Sequence, residues 1–272
     1  MGNHTNQFKF NGDMMTIESN KLSECVQFIR NNCISNIYIC DLYYDLNNLD
    51  FLKECPNISS ININSQLINK VDGLYELRNL KEIILQDIDC IVDLSYFQKL
   101  ESFLGTWNKN YINLTSLVHL KKLRLDNYKS KSKSLKELCI FNELRSLMLV
   151  KSSIESLDGI DIMSKLTSAR FYYLKKLSNI ETIDKIKSLV DIDFEACKKI
   201  TDYEILKNNK QLKTIKIFNC GKIKSIEFIK ELPELVHFAC LKTDIIDGNI
   251  QPCIGVSYYA VDKKYIKILE SR

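Results

Sequence analysis

Glycine is scarce, with eight residues in 272, which leaves little material for a glycine-rich phosphate loop. No such loop is found, and neither is a G-x-S-x-G elbow or an H-E-x-x-H helix. Histidine is scarcer still. The three, His4, His119 and His237, stand far apart, none with a nucleophile visible beside it, so the chain offers no catalytic residues and reads as a non-enzyme. No apolar run approaches the roughly 18 residues that a membrane span needs. The amino terminus, MGNHTNQFKFNGD, has no basic segment leading into an apolar stretch, so the expected location is cytoplasmic. A dominant charge is missing too: 38 basic and 34 acidic residues give a net charge of +4, and both signs are spread along the chain, unlike the basic footprint of a nucleic-acid binder. The ten cysteines come singly, without C-x-x-C pairs, which argues against zinc and for reduced, buried thiols. No metal or cofactor is expected.

What the sequence does contain is a repeat. The frame apolar-x-x-apolar-x-apolar recurs every 20 to 24 residues, for example at Ile58/Ile61/Ile63, Leu80/Ile83/Leu85, Leu100/Phe103/Gly105, Leu144/Leu147/Leu149 and Leu212/Ile215/Ile217. There are ten copies from Ile34 to Cys240. An eleventh, Val256/Tyr259/Val261, competes with a shifted frame beginning at Ile254. Each copy is followed by a second apolar segment of turn or helical character, such as Leu157-Asp-Gly-Ile-Asp-Ile-Met-Ser-Lys-Leu166. One strand with one short return segment cannot bury its own apolar face, so stacking of equivalent units must create the core.

The V-x-D-L-S-x-F-x-x-L wording of residues 91 to 100 is similar to the 22-residue leucine-rich repeats of bacterial internalins. Segments 194 to 202 and 217 to 223, with Cys197 and Cys220, resemble instead the cysteine-containing subclass. The resemblance covers roughly residues 34 to 261 and implies an α/β leucine-rich-repeat solenoid of about ten or eleven repeats. A curved parallel sheet would form its concave side, with short helices or 3-10 turns on the convex side. The asparagine usual after each strand is often replaced, by Ile88, Ser152, Cys197, Cys220 and Thr243, so the side-chain ladder of the turns should be weaker or built from hydroxyls and thiols. Residues 1–33 are expected to hold a tail, loose to about residue 13, and a capping helix near 19–30. Residues 262–272 would cap the other end. The Lys129-Ser-Lys-Ser-Lys-Ser134 stretch reads as a solvated rim loop, with a phosphate-binding patch as the alternative.

Strand alternation turns the residues between the inward triplets onto the concave face. Its central column should run through Ile84, Leu104, Arg124, Met148, Arg170, Asp193 and Lys216, and the next column through Cys40, Val150, Tyr172, Glu195 and Phe218, with Asp191 beside them and Trp107 just past one strand. Apolar, aromatic and arginine anchors ringed by charge are what protein interfaces favour. The acidic trio Asp191, Asp193 and Glu195 disfavours nucleic acid. The expectation is therefore a protein-binding module, monomeric on its own, whose partner the sequence does not name. An immunity or inhibitor protein masking a toxin or enzyme stands first. A substrate-receptor or regulatory subunit, a nucleic-acid binder using Lys122, Arg124, Arg170 and Lys216, and a surface adhesin remain as alternatives.

Overall fold

The structure is a computed structural model and describes residues 7–265. The chain divides into two compact units, Met1–Leu120 and Lys121–Arg272, built by one rule. In chain order the first carries β1 (Phe10–Asn11), β2 (Met14–Thr16), helix α1 (Leu22–Asn31), β3 (Asn36–Cys40), β4 (Ser60–Asn64), β5 (Glu82–Gln86), β6 (Val92–Asp93), β7 (Ser102–Thr106) and β8 (Tyr111–Ile112). The second carries β9 (Lys122–Asp126), β10 (Ser146–Val150), β11 (Ser168–Tyr172), β12 (Asp191–Glu195), β13 (Thr214–Ile223), β14 (His237–Ile245) and β15 (Tyr258–Val261). Strands β2 to β5 and β7 pair in parallel, as do β9 to β15, with the middle apolar residue of each frame set against that of the next: Ile61 against Ile83, Leu147 against Ala169, Ile192 against Ile215. Short β6 and β8 pair only with each other. This is the leucine-rich-repeat architecture.

The second and third positions of the frame point inward and are buried nearly everywhere. Ile61, Ile63, Leu123, Leu125, Leu147, Leu149, Ile215 and Ile217 are wholly inaccessible, and each such side chain contributes about 1.5–3 kcal/mol. The return segments close with 3-10 turns. Ile183, Ile186 and Leu189 each donate a backbone N–H three residues back, to Ile180, Ile183 and Ile186, which places one apolar residue inward every three. In several repeats a short polar side chain starts the turn by accepting the N–H two residues on: Asn179 from Glu181 at 2.9 Å, Asp202 from Glu204 at 2.9 Å, Asn249 from Gln251 at 3.1 Å.

The turns after the strands are capped as the replaced asparagines suggest. Ser152 Oγ donates to the Tyr128 carbonyl at 3.0 Å, Cys197 Sγ to that of Phe171 at 3.2 Å, and Cys220 Sγ to that of Phe194 at 3.4 Å. Burial pushes the Cys197 thiol up to about 12, so the proton this bond needs stays on sulfur. All ten cysteines are free; Cys33 and Cys139 are exposed, against the expectation of burial.

Two boundaries and one side chain differ from expectation. The sheet begins before residue 34, because Met15 of β2 pairs with Ile37 and is fully buried along with Ile17. Phe10–Asn11 forms a hairpin with β2, so these residues are no loose tail. Cys40, expected on the concave face, is buried. At the other end the Val256/Tyr259/Val261 frame is the one adopted, with Tyr259 opposite Phe238. Tyr265 is buried and its hydroxyl accepts the Ile245 N–H at 2.7 Å. The rest of the expected carboxyl-terminal cap, from residue 266, lies outside the described residues, as does His4.

Gly105 occupies a frame position where other repeats carry a bulky residue, and the reason is close approach. A Cβ there would lie 2.6 Å from the Leu85 carbonyl oxygen, a distance that backbone on both sides cannot relieve cheaply. The Phe103 and Tyr111 rings, edge to face at 6.0 Å, fill the volume instead. Restoring the frame with Gly105→Leu should therefore destabilise the chain, by about 1–3 kcal/mol for an overpacked core. A lowered urea midpoint at unchanged m-value would show it; a raised midpoint would refute the clash.

Candidate concave binding face

In the second unit the outward residues form three aligned columns. The central one runs Arg124, Met148, Arg170, Asp193, Lys216, Ala239 and Ala260, each directly opposite the next. The column at the fifth strand position runs Asp126, Val150, Tyr172, Glu195, Phe218 and Leu241. The column at the first position includes Lys122, Asp191, Thr214, His237 and Tyr258. Arg170 and Lys216 are exposed; Met148, Val150, Tyr172, Asp191, Asp193, Glu195 and Phe218 are half-buried. None is interior. In the first unit Ile84 and Leu104 face each other across β5 and β7, both half-buried, while Trp107 follows β7 outside the ladder, also half-buried. These three share a unit with one another and not with the larger group.

The electrostatics are more local than a reading of charges suggests. Arg124 is engaged by Asp126 on its own strand through Nε to Oδ1 and Nη2 to Oδ2, both at 2.9 Å, a bidentate pair that removes it from the set of cations available to phosphate. The acidic trio is likewise broken up. Asp193 sits between Arg170 and Lys216 on neighbouring strands and accepts the Tyr172 hydroxyl at 2.8 Å, whereas Glu195 takes the Tyr173 hydroxyl. Among the described residues no three His, Cys, Asp or Glu side chains converge as a metal site. Burial raises the Asp193 carboxyl above its ordinary value, opposed by the Tyr172 hydrogen bond and the charges of Lys216 and Arg170. A depression of about 200 Å³ lies here, lined by Arg170, Asp191, Asp193, Thr214 and Lys216.

Some of the face was missed in the sequence. His237, read as standing alone, is stacked on Tyr258 with centroids 4.9 Å apart and planes 11° from parallel. Beside that pair lie small Ala239 and Ala260, then Leu241 and Phe218, the last with the Lys242 ammonium 5.0 Å from its ring centre. The signal was present: His237 and Tyr258 are both the first residue of a strand and differ by one repeat.

The Lys129–Ser134 loop is organised from within. The Glu137 carboxylate accepts the backbone N–H groups of Ser132 at 2.6 Å and Lys131 at 3.2 Å, with the Tyr128 hydroxyl at 3.0 Å. The donors a phosphate would use are thus taken by the chain's own carboxylate.

The solved structures that this fold resembles include two internalins of Listeria monocytogenes. The internalin InlF superposes with a TM-score of 0.53 at 14% identity, over 81% of this chain and 84% of its own. Internalin C2 gives a TM-score of 0.50 at 15% identity, over 78% and 83% respectively. No protein-family model matches the sequence, and no curated protein does. The likeness is one of fold.

Two outcomes test the local chemistry. Burial opposes the charge on Glu137, yet the hydrogen bonds win and hold its carboxyl at about 2, against 4.5 ordinarily. A depressed folded value stabilises above the unfolded one, so this contribution is full above pH 4.5 and is lost as pH falls towards 2. Glu137→Gln should lower the melting temperature at neutral pH and flatten its decline over that window; parallel melting curves in acid would exclude the role. Tyr172→Phe removes a hydrogen bond to the ionised Asp193 and should move that carboxyl further up, visible in a carbon-detected NMR titration. A downward movement would mean the hydroxyl does not support the charge.

Proposed function

We propose that the chain is a non-enzymatic, protein-binding leucine-rich-repeat module, and that the concave face of its second unit is what the partner meets. The observation that carries this is half-exposed Val150, Tyr172 and Phe218 in one column, with Met148 in the column beside it, among charges that balance within the face. Lys122, Arg124, Arg170 and Lys216 stand against Asp126, Asp191, Asp193 and Glu195. Among the described residues no intramolecular element covers this face, and aromatic and arginine anchors within a polar surround are the usual carriers of binding energy. The balance of sign speaks against a polyanion on this face. The specific form we favour is masking of a folded toxin or enzyme, as an immunity or inhibitor protein does, in a reducing cytoplasm where the ten free thiols persist. The thiol-capped turns of Cys197 and Cys220 are the observation that favours the second reading, a regulatory or substrate-receptor subunit with cysteine-type repeats.

Affinity capture from lysate followed by reconstitution with the purified partner tests the face. Arg170→Ala, Tyr172→Ala and Phe218→Ala together should weaken the reconstituted complex at least about 100-fold, since a few such residues commonly dominate an interface. Undiminished affinity in a chain that still melts cooperatively would move the interface elsewhere.

A further inference from the structure

The rim of the second unit, where strands β10 to β13 turn outward, carries a charge pattern that sequence order conceals. Lys151 follows β10; Lys175 and Lys176 stand third and fourth after Tyr172, and Lys198 and Lys199 third and fourth after Glu195. Lys222 stands fourth after Phe218, and the site of a Cβ on Gly221 is 3.8 Å from the Lys198 Cα, so the loops stack as the strands do. All six are exposed. None forms an ion pair among the described residues, whereas Lys133 and Lys224 at the margin pair with Glu155 at 3.3 Å and Asp202 at 2.8 Å. Asp158 is then the remaining acid in these loops, and Asp244, which faces Lys222 from β14, is paired with Lys264. Successive repeats are about 4.8 Å apart, so the lysine positions of neighbouring loops fall within a Debye length of about 8 Å of one another along a rim about 14 Å long.

Like charges held this close by stacking oppose the folded state, and an anionic partner relieves that repulsion. Lysine rather than arginine suits an irregular distribution of carboxylates, because an ammonium is a point charge without a fixed fork. The column immediately inside the rim is Val150, Tyr172, Glu195, Phe218 and Leu241, which offers a partner apolar contact. Among the exposed aromatics nearby, Tyr173 is tied to Glu195 by its hydroxyl, which places a carboxylate where a stacked base would bring its phosphate. We infer that the partner is an acidic polypeptide whose carboxylates meet the Lys151–Lys222 rim while its apolar side chains rest on the Tyr172–Phe218 column. This rests on the concave-face reading and adds the partner's chemistry and the edge from which it is held.

The test uses the full chain with three probes at about 50 mM salt: poly-L-glutamate, a random glutamate–tyrosine copolymer, and single-stranded DNA of matched charge, with phosphatidylserine vesicles as a fourth arm. The copolymer should bind most tightly, and its affinity should fall at least about tenfold on raising salt to about 300 mM. Lys175→Glu, Lys176→Glu, Lys198→Glu and Lys199→Glu together should weaken both polypeptides at least about tenfold while the melting temperature holds or rises. Reversal of Lys207, Lys210 and Lys230 on the return segments should leave binding unchanged. Wild-type affinity in the rim variant, or tighter binding of DNA or vesicles than of the copolymer, overturns the inference. Tyr172→Ala with Phe218→Ala should erase only the preference for copolymer over poly-L-glutamate; if that preference survives while rim reversal still abolishes binding, the rim stands and the concave-face reading fails.

Discussion

Everything in each unit depends on parallel strands that hold one register from repeat to repeat. The ladder closes with a device at each end of the strand. At its start a single carbonyl accepts two successive N–H groups: that of Arg145 from Thr167 and Ser168, that of Thr167 from Val190 and Asp191. At its end one further N–H continues the ladder, from Lys151 to the Tyr172 carbonyl, Tyr173 to Glu195 and Ala196 to Phe218. A slip of one residue would turn Leu147, Ala169, Ile192 and Ile215 outward together. The same register that buries them sets Met148, Arg170, Asp193 and Lys216 in line on the other side, so the core and the candidate binding face are two consequences of one pairing.

Maintaining that ladder imposes a backbone cost at a fixed place. The residue after the fifth strand position is left-handed in repeat after repeat, with φ of 53° at Lys151, 58° at Tyr173, 54° at Ala196 and 51° at Lys242. For residues with a Cβ this conformation costs about 1–2 kcal/mol. Asn127 and Asn219 suit it; the others do not, and the hydrogen bonds their N–H groups donate, to the Tyr172, Glu195 and Phe218 carbonyls and to the Asp262 carboxylate, must outweigh the strain. The turn returns the next residue to the core, as at Leu174, Cys197 and Cys220, and leaves the positions after it at solvent along the rim, where Lys175, Lys176, Lys198, Lys199 and Lys222 stand.

The inward triplets were legible because burial of one face enforces an alternation that composition cannot disguise. Ile83, Leu85, Leu123 and Leu125 declare themselves singly. What escaped were features set by distances across the stack. Gly105 looks like a weak match to the frame, and only the nearness of the Leu85 carbonyl shows that it is required. Arg124 and Asp126 are merely two charges of opposite sign until the strand places them on one side, two residues apart. Met15 begins the ladder from a strand of three residues, too short to show a period. The left-handed positions escaped because lysine, tyrosine and alanine give no compositional hint of them.

The lysine rim shows the same limit from the side of function. Along the chain Lys151, Lys176, Lys199 and Lys222 are separated by 20 or more residues and by acids such as Glu155, Glu181 and Asp202, so a moving average of charge stays near neutral. Stacking removes that averaging. The repeat length converts a separation of more than twenty residues into one of about 4.8 Å, while Glu181 is carried away to a return segment and Asp202 is neutralised by Lys224. A solenoid can therefore be nearly neutral overall and still present a single sign along one edge. For such a fold the informative quantity is charge by position within the repeat rather than net charge, and by that measure the balanced concave face and the basic rim beside it are distinct surfaces suited to different parts of one partner.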